Sequence, residues 1–94
     1  MFDSPVVSVH IPLVLRSFAG GHDEITASGD TVGEVLDALG HEYPAIRSYL
    51  MSSEGDLQSS VAIFLGPRSV REMQGLATPI AQEEVLSIVP IGSF

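Results

Sequence analysis

One stretch, Thr31 to Leu39 (TVGEVLDAL), carries a long apolar stripe at helical spacing, and the runs on either side of it alternate as strands do. Thr31 and Glu34 have the spacing of a capping box, in which the threonine hydroxyl accepts from the Glu34 amide and the Glu34 carboxylate reaches back to the Thr31 amide. Val32, Val35, Leu36 and Leu39 then recur so as to fall on one face. Glu34 and Asp37 go to the wet side, where an acid near the N-terminus also suits the helix dipole. Gly40 and Pro44 predict an end between Leu39 and Tyr43. A single helix with one apolar stripe must lie across something flat and apolar, which restricts the chain to a sheet covered on one side.

The rest of the sequence supplies that sheet. VVSVHIPLVL predicts a first strand from Val6 to Leu15, with Val7, Val9, Ile11, Leu13 and Leu15 on one face. Pro12 lacks a ladder donor and marks an edge or bulge there. RSFAGGHD reads as a turn, with Gly20-Gly21 at positive φ, and Glu24 to Ser28 as the returning strand of a hairpin. After the helix, Ala45 to Met51 reads as a second short helical turn, and SSEGDLQSS as a polar loop. Val61 to Leu65 (VAIFL) has the length and β-branching of an interior strand. GPRS reads as a turn, Val70-Arg71-Glu72 as a minor strand, GLATPIAQEE as a connection and Glu84 to Val89 as the last strand. The order strand, strand, helix, strand, short strand, strand is that of an α+β roll, one mixed sheet with one main helix packed across it. No repeat or linker divides the chain, so residues 1–94 are expected to form a single domain with a short tail, 90–94.

Charge narrows the function. Twelve acidic residues face four arginines, for a net charge of −8. Phosphate backbones repel such a surface, so nucleic acid is not an expected partner, whereas a protein with a basic face is. There is no lysine and no cysteine. The first fact matters if the chain carries an activated acyl group, because a lysine amine is its commonest internal target. The second excludes disulfides, thiolate nucleophiles and cysteine metal sites. No apolar stretch approaches the roughly 20 residues of a membrane helix, and MFDSPVV lacks a secretory pattern; the expected location is cytoplasmic.

Candidate chemical sites are few. Gly20-Gly21 lacks the strand, helix and lysine of a phosphate loop and reads as a hairpin turn. His22-Asp23-Glu24 are adjacent and converge poorly on a metal. His10 and His41 have no partner at ligand spacing, and no GxSxG elbow is present. The expectation is no catalytic residue, no metal site and no cofactor bound by the chain itself. Arg68 and Arg71 flank the turn after VAIFL, where they either meet a carboxylate on a partner or remain solvated. Leu76, Ile80 and Val89 either form an exposed patch for a partner or complete the core.

The strand and turn VHIPLVLRSFAGG, the helix approach ASGDTVGEVLDAL, the strand VAIFL, the segment GLATPIA and the closing EVLSIVP together resemble the MoaD/ThiS family of ubiquitin-like sulfur carriers, in its CysO-like branch. The matches run in order through nearly the whole chain. The resemblance implies a β-grasp fold and a protein that is a cosubstrate and not an enzyme. It implies a ubiquitin-activating-type partner, MoeB/ThiF-like, that adenylates the terminal carboxylate with ATP and magnesium. Sulfur then replaces one oxygen, and the thiocarboxylate passes to a sulfur-accepting synthase of cofactor, cysteine or metabolite biosynthesis.

Family members typically end in Gly-Gly, because a side chain beside the carboxylate obstructs a narrow channel and glycine bends with little steric cost. Here Pro90 is followed by Ile91, Gly92, Ser93 and Phe94. Three accounts stand. A peptidase, for which a JAMM-type metallopeptidase is the expected class, removes Ser93-Phe94 and leaves Gly92 as the acyl residue. A permissive enzyme uses the tail as it is. Or the chemistry is lost and a non-conjugating β-grasp binding or regulatory module remains.

Overall fold

The computed structural model describes residues 5–58, 60–81 and 84–91. Five strands form one sheet in the order β2-β1-β5-β3-β4. Strands β1 (Val6–His10) and β2 (Glu24–Ser28) are an antiparallel hairpin in register from Val6↔Ser28 to His10↔Glu24. The last strand, β5 (Val85–Pro90), lies parallel to β1 through Ser8↔Val85, Val9↔Leu86 and His10↔Ser87. On its other side it pairs antiparallel with β3 (Val61–Leu65), from Leu65↔Leu86 to Val61↔Pro90. Two residues, Arg68–Ser69, add the edge strand β4. With the helix across it, this is the β-grasp arrangement.

Side-chain alternation explains the layering. Val7 and Val9 of β1, and Leu86 and Ile88 of β5, are buried, while their neighbours along each strand are exposed or half-buried. Helix α1 (Val32–Glu42) covers the buried face, with Val32, Val35, Leu36 and Leu39 all buried. A second helix, α2 (Pro44–Leu50), begins on proline at its first turn, where the missing amide costs nothing, and adds Ile46 and Leu50 to the core.

The start of α1 follows the expected capping box with one change. Thr31, extended at φ −132° and ψ 164°, accepts the Glu34 amide on Oγ1 at 3.2 Å. The Glu34 carboxylate, however, accepts from the Asp30 amide at 3.1 Å and not from that of Thr31. Thr31 is bridged to Pro79, and the carboxylate serves the preceding residue. Gly29 makes the approach feasible: a Cβ there would fall 2.8 Å from both Glu34 Cβ and the Val35 amide nitrogen. Thr31→Ala is expected to lower stability by about 1 kcal/mol, read as a lower urea midpoint with an unchanged slope.

Two strand expectations need correction. The first strand stops at His10, and Leu13–Ala19 is a 3₁₀ helix. The Ile11 amide makes the last rung of the hairpin, to the carbonyl of Asp23 at 2.8 Å, and Pro12, at φ −68°, then opens the helix by accepting from Leu15. Leu13 is therefore 76% exposed and not in the core, whereas Leu15 is buried. Gly20 and Gly21 close the turn at φ 65° and 86°. Secondly, Val70–Glu72 is a 3₁₀ turn and not a minor strand; the Ser69 hydroxyl accepts the Arg71 amide at 3.4 Å and bends the chain there. The edge strand lies one step earlier, at Arg68–Ser69, inside the expected turn.

The GLATPIA segment is fastened over the N-terminus of α1. Thr78 is fully buried and accepts the Val32 amide on its carbonyl at 3.0 Å, while the Ile80 amide donates to the Asp30 carbonyl at 2.9 Å. The Val32 amide, one of the donors left open at the start of the helix, is thus satisfied by this connection.

Candidate functional site at the end of the last strand

The last strand lies between two neighbours that release it at different points. Its pairing with β1 ends at His10↔Ser87, because β1 has turned away at Pro12. Strand β3 stays beside it as far as Val61↔Pro90. The Gly66 amide donates to the Val85 carbonyl at 2.9 Å, and the Ile91 amide to the Ser60 carbonyl at 2.8 Å. These two bonds fix the phase of the ladder. Residues 85, 87, 89 and 91 turn their peptide groups to β3, and 86, 88 and 90 turn theirs to the β1 side. Pro90 thus falls where β1 has already departed, and its missing N–H breaks no ladder bond.

Pro90 and Ile91 were expected in the tail; both belong to the sheet. The strand runs on because Ser60 and Val61 still offer it a partner. Backbone beyond Ile91 is what remains for an arm, and Gly92, Ser93 and Phe94 lie outside the described residues.

The β3 end of this exit is held by Arg71, whose guanidinium is exposed but not idle. Its Nη2 donates to the Gln58 carbonyl at 2.6 Å and to the Val61 carbonyl at 2.9 Å. By the same ladder phase, the peptide group of Val61 faces away from β5, on the side of β4. Strand β4 pairs only with Phe64 and Leu65, so Arg71 supplies there the donor that a longer edge strand would have supplied. Charge-assisted bonds of this kind are stronger than neutral ones.

The other proposed contact residues separate. Arg68 is exposed on β4. Leu76 is half-buried against α1, its carbonyl oxygen 3.2 Å from where a Cβ on Gly33 would sit. Ile80 is buried and completes the core instead of forming a patch. Val89 is 37% exposed, Val85 37% and Ile91 43%, on the sheet face opposite the helices. His10 forms an exposed pair with Glu24, Nε2 to Oε2 at 2.9 Å. Among the described residues no three His, Asp or Glu side chains gather as a metal site, and no helix is long and apolar enough to cross a membrane. The Arg71 clamp was not foreseen, since its acceptors are main-chain carbonyls that any sequence would supply.

The chain as a whole has counterparts among known proteins. The ThiS family profile matches residues 9–93. The chain belongs to the ThiS family. Among ThiS-family relatives, the sulfur carrier protein CysO of Mycobacterium tuberculosis is 42% identical over 86 residues, which are 89% of this chain and 92% of that one. The crystal structure of M. tuberculosis CysO superimposes with a TM-score of 0.86 at 41% identity, covering 92% of this chain and 99% of the other. CysO of Amycolatopsis orientalis, solved in complex with BexX, gives a TM-score of 0.87 at 28% identity, with 94% and 98% covered. Small archaeal modifier protein 1 of Methanosarcina acetivorans gives 0.85 at 26%, with 99% of each chain covered.

Proposed function

We propose that this ThiS-family chain is a sulfur carrier, a protein cosubstrate in the cytoplasm, whose acyl carbon is that of Gly92. It performs no catalysis of its own. A MoeB/ThiF-like enzyme joins the Gly92 carboxylate to the α-phosphorus of ATP with magnesium, releasing pyrophosphate. A hydrosulfide-class donor attacks the acyl carbon and expels AMP, leaving a thiocarboxylate whose sulfur a synthase then takes up. The residues after Gly92 must first be cut away, and a JAMM-type metallopeptidase suits that step.

The observation that carries this reading is the placement of the last sheet bond. Ile91 donates to Ser60, so the residue next to the fixed backbone is a glycine, and an activating enzyme meets no side chain at the point of departure. The family match and the relatedness to CysO support the same role. The acidic surface, with no lysine to capture an activated acyl group, is compatible with it.

Intact-mass measurement on protein from its native host, with its pathway active, tests the proposal. The expected species ends at Gly92, and a fraction of it carries sulfur in place of one carboxylate oxygen. A chain that always retains Ser93-Phe94 overturns the carrier role of Gly92. It favours the second reading, a non-conjugating binding module, which the serine after Gly92 already suggests.

A further inference from the structure

We infer that Arg71 is a positioning residue that sets where the carrier arm begins. The inference rests on the carrier reading above but is carried by separate geometry. Three bonds meet where the chain enters β3, on the carbonyls of Gln58, Ser60 and Val61. Arg71 Nη2 uses its two protons on the carbonyls of Gln58 and Val61, at 2.6 and 2.9 Å, and between those points the Ser60 carbonyl receives the amide of Ile91 at 2.8 Å. Strand β4 reaches only Phe64 and Leu65, and the preceding loop is tied inward at Leu57, bridged to Met51, and at Gln58, through its amide to the Leu50 carbonyl and its Nε2 to the Met51 carbonyl. Arg71 is the side chain that reaches the Val61 carbonyl on the β4 side. Removing the guanidinium leaves two carbonyls without that donor and loosens the acceptor of the last sheet bond.

The consequence is a matter of reach. With Ser60 fixed, the pairing with β3 holds through Ile91. With Ser60 mobile, the Ile91 bond opens, and the next β5 amide turned to β3 is that of Val89, because the peptide group of Pro90 faces the β1 side. The hinge then slips back along β5 towards Val89, and the acyl end samples a larger volume. Docking of the folded body on an activating enzyme is unaffected, while delivery of the carboxylate to the nucleotide becomes less frequent. Arg71 therefore acts on turnover through Ser60 and Ile91 without touching ATP.

The experiment compares the chain ending at Gly92 with its Arg71→Ala and Arg71→Lys forms. Amide hydrogen exchange is expected to accelerate at Ile91 by about tenfold in Arg71→Ala, with the Leu86 amide unchanged and Arg71→Lys intermediate. Assayed with the adenylating enzyme and MgATP, Arg71→Ala should lower kcat by about tenfold at an unchanged KM. Unchanged Ile91 exchange overturns the inference, as does equal acceleration at Leu86, which marks general loosening. Faster Ile91 exchange with an unaltered kcat overturns the positioning role and leaves only the anchor. Should the unsubstituted chain accept no AMP at all, the carrier reading fails, while the Ile91 comparison still decides the anchor.

Discussion

Cut to end at Gly92, the chain should be adenylated at least about 100-fold faster than the chain that runs on to Phe94, since displacement of a reacting group by even 1 Å can cost that much. Two further residues carry the terminal carboxylate outward by roughly 7 Å in an extended chain, and they add a phenyl side chain next to it. The sheet cannot take up that slack. Ile91 is already bonded to Ser60, and drawing the strand back one residue would turn Val89 and Leu86 to the wrong faces. The measurement is pyrophosphate exchange with MgATP and the activating enzyme, both chains at equal concentration. Comparable rates would mean that the enzyme tolerates the longer terminus and that trimming is not required.

Leu86→Ala should lower unfolding stability by about 2–5 kcal/mol, from the lost transfer energy and the cavity left behind. Leu86 is fully buried on the central strand, in register with Val9 on one side and Leu65 on the other. Both flanking residues sit on paired strands, which limits collapse into the gap. For a domain of this size total stability is about 5–15 kcal/mol, so the variant could lose half of it. Each kcal/mol corresponds to roughly 4–8 °C in Tm, and a thermal scan followed by circular dichroism reads the difference. A loss below 1 kcal/mol would show that the β1-β5-β3 seam is not the centre of the fold.

Much of the fold was legible because some signals are local. Val61 to Leu65 was bounded correctly by an apolar run in which Val61 and Ile63 are β-branched. The helix was recognisable from Thr31 and from a stripe with one period throughout. The first strand was overextended for the opposite reason. Alternation continues through Ile11, Leu13 and Leu15, and Leu15 is buried in a 3₁₀ helix as it would be in a strand, so periodicity alone does not separate them. The deciding event is the turn at Pro12, whose carbonyl takes the Leu15 amide, a bond that alternation does not signal. Val70 misleads similarly, being apolar and buried on a turn that Ser69 caps.

The glycine of the candidate site lies outside the described residues, and the support described before it was not legible in the sequence. Gly92 stands out because family members place glycine at the acyl end. Nothing in the letters around Arg71 says that its guanidinium holds two carbonyls 13 and 10 residues earlier, since every residue has a carbonyl. Ile80 was ambiguous as one isoleucine in a polar connection, until its amide proved to be bonded to Asp30 and its side chain buried.

The central position of β5 has a mechanical side. A load applied beyond Ile91 pulls along the strand axis, while the bonds to β1 and β3 run across it. Those bonds must shear together and cannot peel one by one, as they would on an edge strand. A pull at that point is therefore borne by both seams at once, and the body does not unravel from it.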